Sequence, residues 1–260
     1  MATVAEARMV KSLMRNSGFT IDTDPTPMLG LQASQKTLRF GFSEGNRRVP
    51  HRDDIPEILC AVEEEVFPTL HYYTKEPALL VSELDTLLSI RSIYDRGLVG
   101  GVQINKVWPT PEQVSEIRSR FPKLKITLQM SSSVTGGMTG EQVADRLAKE
   151  YADVEYIILD QSGGKGIEFD MSESVSAYLT FRARGVKSNI VIAGGLDGSN
   201  VRRKITAIQS GVDSLDFSID AEGGLRDRVG EGYGNDVLNP AYVQSYLEGA
   251  SERFLPQKRG

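Results

Sequence analysis

The amino-acid sequence predicts an α/β protein of the (β/α)₈ TIM-barrel class. A chain of 260 residues has the length at which such barrels commonly form one unit. From Phe67 onward, short apolar runs alternate with longer amphipathic segments, which is the pattern of strand–helix units in a parallel sheet. Three successive predicted strands end in glycine-containing loops. Since no repeat or linker interrupts the pattern, we expect one TIM-barrel domain over residues 1–260, with an irregular N-terminal first unit.

Six strand–helix units account for the chain from Phe67 to the C-terminal helix. The predicted strands are Leu70–Thr74, Val99–Ile104, Ile126–Met130, Tyr156–Leu159, Ile190–Ile192 and Leu215–Phe217. The predicted helices that follow them are Ala78–Asp95, one opened by Pro109–Glu112 and ending near Arg120, Glu141–Tyr151, Ser172–Arg184, Ser199–Ser210 and Pro240–Phe254. Proline and threonine at several of these starts are typical of helix N-termini.

The first 66 residues fit the pattern less regularly. Thr37–Phe42 is predicted as a strand and Asp53–Glu65 as a helix, which gives a seventh unit. The eighth strand has to come from Phe19–Ala33, which two prolines interrupt. Its two candidate segments are Phe19–Ile21 and Met28–Leu31. A helix around Val4–Arg15 either closes the bottom of the barrel or replaces the missing helix.

Composition and charge narrow the classes of function. The net charge is −5 with acidic and basic residues interspersed, so we expect neither nucleic acid nor membrane as a partner. The single cysteine, Cys60, excludes an intramolecular disulfide framework and a cysteine-rich metal site, and its apolar neighbours predict a core position. His51 and His71 lack partners at metal-ligand spacing. We therefore expect a cytoplasmic monomer or homodimer without a metal or other cofactor.

The loops after the last three strands have the chemistry of anion binding. Glycines allow backbone N–H groups to approach a phosphate closely, and the helix N-termini that follow favour negative charge. Each loop taken alone is also compatible with an ordinary tight turn. The predicted phosphate-binding residues are Gly164, Lys165, Gly166, Gly194, Gly195 and Ser218. Asp220 is a difficulty for this prediction, because its carboxylate would repel a phosphate unless Lys165, Arg226 or a cation compensated for it.

These loops resemble those of the phosphoribosylanthranilate isomerase family. The motif in that family is Leu-Asp-Ser, Gly-Gly-Thr-Gly and Phe-Asp, then Gly-Gly-Leu-Asn-Pro-Glu-Asn-Val, and finally Asp-Val-Ser-Ser-Gly-Val-Glu. The matching segments here are Leu159-Asp160, Gly163–Gly166, Phe169-Asp170, Ala193–Leu196 with Asn200-Val201, and Asp216–Asp227. The resemblance is most specific over Tyr156–Asp227 and extends back to Leu38.

The resemblance implies an Amadori-type isomerisation of a phosphorylated sugar derivative, within tryptophan biosynthesis. It implies that Asp160 is the catalytic acid and that Arg48 contacts the aromatic portion of the substrate. The base in the family is a cysteine at the end of the first strand, and this sequence lacks it. Asp22 is our candidate for the second catalytic residue, and turn formation is the structural alternative for it. Asp24, or Gln32 and Ser34 on the other candidate segment, are further possibilities.

The missing cysteine leaves two other interpretations open. One is a catalytically silent or repurposed barrel that binds a phosphorylated small molecule. The other is a lyase or aldolase that forms a Schiff base, for which Lys165 or Lys106 would have to supply the amine. Both lysines lie in predicted loops rather than within strands, which favours the isomerase.

Overall fold

A parallel β-sheet forms the centre of the molecule, for which the computed structural model describes residues 1–160 and 170–256. All its strands are parallel and are arranged in sequence order from β1 to β7, so the sheet curls as a TIM-like barrel does. The strands are β1 (Met28–Ser34), β2 (Phe67–Tyr73), β3 (Gly101–Asn105), β4 (Lys125–Met130), β5 (Tyr156–Asp160), β6 (Asn189–Ala193) and β7 (Ser218–Asp220). A separate antiparallel hairpin follows, made of β8 (Arg226–Arg228) and β9 (Asp236–Leu238).

Helices cover the convex face of this sheet. They are α1 (Val4–Asn16), α2 (Gln35–Phe40), α3 (Ile55–Cys60), α4 (Leu80–Ser89), α5 (Pro111–Arg120), α6 (Ser132–Thr135), α7 (Gly140–Glu150), α8 (Met171–Ala183), α9 (Val201–Val212) and α10 (Pro240–Phe254). Short 3-10 helices occupy Arg52–Asp54, Pro77–Leu79, Ile90–Ser92 and Gly223–Leu225. In the part of the chain that the structure describes, no helix is both long and apolar enough to span a membrane.

Side chains alternate between the two faces of the sheet. The residues that point outward are apolar and pack in the main hydrophobic core, as Leu70, Ile126 and Ile190 do. Because side chains of a strand point alternately to opposite faces, their neighbours point inward. The inward residues are mostly small or polar, and they include Thr69 and Thr127. The main core therefore lies between sheet and helices, and a smaller apolar cluster of Ile158, Val191 and Ala193 lies inside the curl.

The predicted strand Thr37–Phe42 is wrong, since its first four residues belong to helix α2. Ser34 and Thr37 form a capping box, in which the Ser34 side chain accepts a hydrogen bond from the Thr37 backbone N–H and the Thr37 hydroxyl accepts one from the Ser34 N–H. The helix ends at Gly41, whose φ of +83° favours glycine. Of the two first-strand candidates, the structure forms Met28–Ser34. The described sheet thus has seven strands, and an eight-stranded barrel is not confirmed.

The last strand begins three residues later than the sequence predicts. The Leu215–Phe217 segment lies in neither a helix nor a strand, and β7 is Ser218–Asp220. Helix α9 runs on to Val212 and stops at Asp213, which has a left-handed backbone with φ of +51°. The Asp216 carbonyl then accepts a hydrogen bond from the Tyr178 hydroxyl at 3.0 Å instead of joining the sheet. As a result Ser218 is the first residue of the strand, and Asp220 is its last.

The first and last strands of the sheet meet through side chains. No backbone pairing joins β1 to β7 among residues 1–160 and 170–256. Instead, Gln32 Nε2 of β1 donates a hydrogen bond of 2.5 Å to Glu222 Oε1, two residues after β7. Helices α1 and α10 pack against each other on the same side. We call this junction between β1 and β7 the seam.

Candidate active site

A cavity of about 350 Å³ occupies the concave side of the sheet. Barrel interiors are usually filled by layers of bulky side chains. Here small residues such as Gly30, Thr69 and Ser218 line the interior and leave space for a small molecule. Apolar side chains of α1 and α10, including Met14 and Leu247, line the part of the cavity beside the seam.

Asp160 lies at the end of β5 and is held by a row of amide side chains. Gln129 Nε2 donates a hydrogen bond of 2.7 Å to Asp160 Oδ2, and Gln129 Oε1 accepts one of 3.2 Å from Gln103 Nε2. Gln103 Nε2 also lies 3.3 Å from His71 Nε2. Burial lowers the pKa of His71, so its ring is neutral near pH 7 and can accept this bond. The row fixes the direction of each amide and orients the Asp160 carboxyl group.

A second carboxyl group, Asp220, lies at the end of β7. It lines the cavity, and burial, followed by the charges of Glu222 and Asp160, raises its pKa to about 7, whereas a hydrogen bond from the Ala221 backbone lowers it. Sequence reasoning treated Asp220 only as an obstacle to phosphate binding. The signal that could have identified it is its position, since it ends a strand as Asp160 does.

Arg48 is buried beside the seam and bonded to carboxylates of its own chain. It donates two hydrogen bonds to Asp236 from Nε and Nη2, at 3.0 Å and 2.5 Å, and one of 2.8 Å to Glu222 from Nη1. Its guanidinium lies 4.6 Å from the centre of the Tyr233 ring. Burial alone would lower the pKa of Arg48, but these carboxylates raise it, so the group stays charged. The resemblance implies that Arg48 contacts the substrate, whereas in the structure its bidentate partner is Asp236 of its own chain.

Asp22 is not brought together with Asp160. It is exposed in the turn before β1, whose first residue is Met28. In a parallel sheet the residues before one strand and those at the end of another lie at opposite edges, so Asp22 and Asp160 are at different ends of the barrel. Asp24 lines the cavity at the Asp22 end, whereas Gln32 reaches the end that holds Glu222.

The predicted phosphate residues separate into three groups. Gly194 and Gly195 directly follow β6, at the same edge as Asp160, and their φ values of +119° and +63° suit glycine. Ser218 lines the cavity at the start of β7 rather than lying in the loop after it. Gly164, Lys165 and Gly166 lie outside the described residues.

The loops after β6 and β7 are packed against each other. A Cβ atom on Gly224 would lie 2.3 Å from the Leu196 carbonyl oxygen and 3.0 Å from Asp197 Cβ. Only glycine allows this approach of the two backbones. The position of the Gly194–Leu196 loop therefore depends on the loop that follows Asp220.

The structure also places Cys60 and Lys106, two further residues considered from the sequence. Cys60 is exposed rather than in the core, because α3 ends at this residue, beyond the face that buries Ile58 and Leu59. Lys106 Nζ lies 5.2 Å from the centre of the Tyr73 ring at the ends of β3 and β2. Within residues 1–160 and 170–256, no three His, Cys, Asp or Glu side chains are grouped in a way that would hold a metal ion.

Comparison with known proteins agrees with this arrangement. Residues 102–228, just under half of the chain, match the family model described as N-(5'phosphoribosyl)anthranilate (PRA) isomerase. No curated protein matches the chain in sequence.

Solved structures show the same fold at low sequence identity. The phosphoribosyl anthranilate isomerase of Thermus thermophilus is 15% identical with a TM-score of 0.61, over 97% of this chain and 96% of that one. The isomerase of Thermotoga maritima is 18% identical with a TM-score of 0.60, over the same shares. A Rubisco-like protein from Rhodopseudomonas palustris is 10% identical with a TM-score of 0.55, over 100% of this chain and 62% of that one.

The family match begins at Val102 in β3 and ends at Arg228 in β8, so it includes Asp160, both described glycine loops and Asp220. It does not include Arg48 or any part of β1 and β2. Residues 102–228 therefore carry the sequence pattern of the phosphoribosylanthranilate isomerase family, as the glycine loops predict, in a chain that lacks the family's first-strand cysteine.

Proposed function

We propose that this protein is an isomerase that performs an Amadori-type rearrangement of a phosphorylated sugar derivative in its concave cavity. The observation that carries the proposal is the position of Asp160. Gln129 orients it at the end of β5, and Gln103, which is bonded to Gln129, lines a cavity large enough for a small molecule. The family match over residues 102–228 supports the same chemistry.

The reaction begins with the transfer of a proton to the ring oxygen of the sugar. Asp160, as the acid, donates this proton while the bond between C1 and the ring oxygen breaks and its electron pair goes to the oxygen. The lone pair of the nitrogen that is bonded to C1 then forms an iminium with C1. A base must next remove the proton from C2; the C2–H electron pair then forms the C1=C2 double bond while the C1=N electron pair returns to the nitrogen. Transfer of the enol proton to Asp160, with protonation of C1 by the base, gives the ketone and restores both groups.

The phosphate of the substrate would bind at the glycine loops. Gly194 and Gly195 lie at the same edge of the sheet as Asp160, and their backbone N–H groups are not obstructed by a Cβ atom. The sequence adds Gly164, Lys165, Gly166 and Ser218 to this site. A substrate carboxylate would have to displace Glu222 or Asp236 from Arg48, so we assign Arg48 first to holding these two carboxylates in place.

The experiment is an assay of phosphoribosylanthranilate turnover, together with complementation of a tryptophan-auxotrophic strain that lacks the isomerase. We expect the wild-type protein to be active and Asp160→Asn to lose about 10²- to 10⁴-fold in kcat with an unchanged fold, since it removes the acid. Asp153→Asn is the matched control, because Asp153 is exposed at the opposite end of β5. Undiminished turnover by Asp160→Asn would remove Asp160 from the mechanism.

A second candidate function, a repurposed barrel that only binds a phosphorylated ligand, is favoured by one observation. Asp220 follows Ile219 in the place where the family has a second Ser-Gly, which leaves the chemistry of the loop after β7 altered. Saturable binding of inorganic phosphate by a wild-type protein that neither turns over the substrate nor complements the strain would favour this candidate over the isomerase.

A further inference from the structure

We infer that Asp220 is the base that removes the C2 proton, in place of the cysteine that this sequence lacks; the inference rests on the isomerisation proposed above. In this assignment the two proton-transfer groups are at the ends of β5 and β7. Neither comes from the first strand, where the resemblance to the family implies that the base should lie.

The register of the sheet places the two carboxyl groups at the same height. Asp160 is paired with Ala193 of β6, and Ala193 is paired with Asp220 of β7. Neighbouring strands are about 4.8 Å apart, so the two Cα atoms are separated by about 10 Å across the curl of the sheet. The residue between them has only a methyl side chain. A sugar ring that lies between the ends of β5 and β7 is therefore within reach of both carboxyl groups.

The surroundings of Asp220 suit a base rather than a structural ion-pair partner. The charges that act on it are those of Glu222 from its own loop and Asp160 from β5, and Tyr246 of α10 also interacts with it. The N-terminal amino group of Met1, His71 of β2 and Arg226 of β8 line the same cavity. Burial and the two carboxylates raise the pKa of Asp220 to about 7. A carboxylate with this pKa binds a proton far more strongly than an ordinary aspartate and is still partly ionised at neutral pH.

The assignment also explains how a carboxylate is compatible with a phosphorylated substrate. Asp220 ends the strand and lines the cavity, whereas Gly194 and Gly195 lie beyond the end of β6. The base is thus one layer deeper than the glycine loop. After Asp220 accepts the C2 proton it is neutral, and it returns that proton to C1 when the ketone forms, so no co-reactant is required.

The test compares Asp220→Asn, Asp220→Glu and the control Asp153→Asn in the phosphoribosylanthranilate assay, with circular dichroism to verify the fold. We expect Asp220→Asn to lose about 10²- to 10⁴-fold in kcat with little change in KM, and Asp220→Glu to retain part of the activity. Wild-type kcat/KM should fall below about pH 7, because protonated Asp220 cannot accept a proton, and Asp220→Glu should move this limb of the profile.

A substrate deuterated at C2 separates this role from a structural one. Asp220→Asn should show a larger isotope effect than Asp160→Asn, because only the former impairs C2–H cleavage. If the wild type is active and Asp220→Asn keeps its full rate and its acidic limb, the assignment of Asp220 is overturned and the proposed function stands. A folded wild-type protein that does not turn over the substrate would overturn the proposed function, and the assignment with it.

Discussion

The first 66 residues and the strands from β2 to β7 contribute to one sheet by different means. Each strand from β2 to β7 is followed by a helix, and each strand from β2 to β6 pairs with the next strand along the chain. The first 66 residues supply only β1, the short helices α2 and α3, and an irregular segment that carries Arg48, besides the N-terminal helix α1. The regular strand–helix pattern and the family match over residues 102–228 fall in the same, later part of the chain.

The difference shows that the irregular region, besides pairing β1 with β2, supports the site through charged and amide side chains. Gln32 and Arg48 both bond to Glu222, which follows β7. Arg48 also holds Asp236 of the hairpin, where Arg226 Nη1 lies 3.4 Å from the same carboxylate. A region outside the family match thus sets the position of the loop that follows Asp220.

The largest effect is expected from Arg48→Ala, which tests this dependence directly. Removing the guanidinium leaves the carboxylates of Asp236 and Glu222 without their main partner at a buried site. Loss of one partner from a buried ion pair costs about 3–5 kcal/mol. Arg47→Ala is the control, because Arg47 lies in the same segment without a carboxylate partner among the described ion pairs. Urea unfolding measures both, and equal stabilities for the two variants would mean that the irregular region does not support the loop.

Asp220→Asn is expected to have the next largest effect, in the stabilising direction. Burial raises the pKa of Asp220 from 3.8 to about 7, so the stability that its proton contributes is present below about pH 4 and is lost as the pH rises to 7. Above pH 7 the variant should be more stable than the wild type by about 2–4 kcal/mol. Thermal unfolding at pH 5.5 and pH 8 measures the change, and a difference that does not grow with pH would contradict the buried position of Asp220.

The smallest effect on stability is expected when one glycine in each region is replaced by alanine. Gly224→Ala would force the Leu196 carbonyl away and should cost about 1–3 kcal/mol. A methyl group added to Gly30 in β1 would have no heavy atom of another element within 4 Å, and Gly30 lacks a positive φ, so Gly30→Ala should be nearly neutral. The measurement is the midpoint of urea unfolding. Equal losses in the two variants would show that the glycine loops are no more tightly packed than β1.

The regular part of the sheet was predictable from sequence because each strand there is an apolar run between helix signals. Pro240–Phe254 has the predicted bounds, and the strands from β2 to β6 agree within a few residues. Thr37–Phe42 was mispredicted because its aromatic and β-branched residues suit a strand, whereas the local capping box stabilises a helix.

The site was predictable only in part, for a related reason. Asp160 follows a strong strand, and the family motif implies the role proposed for it, so its position at the edge of the sheet could be anticipated. The contacts of Arg48 with Asp236 and of Gln32 with Glu222 join residues 188 and 190 positions apart, and no local pattern encodes such pairs. The position of Asp220 at the end of a strand follows only from the observed β7, which begins three residues later than the sequence predicts.

The seam has a consequence for contact between copies of the chain. A sheet that is not closed by backbone hydrogen bonds keeps two edge strands, and such edges can pair with another molecule and begin aggregation. Here β1 and β7 are these edges among the described residues. The packing of α1 against α10, together with the bond between Gln32 and Glu222, covers the seam. We therefore expect the packing of α1 on α10 to hinder pairing of these edges with another copy of the chain, in addition to enclosing the cavity.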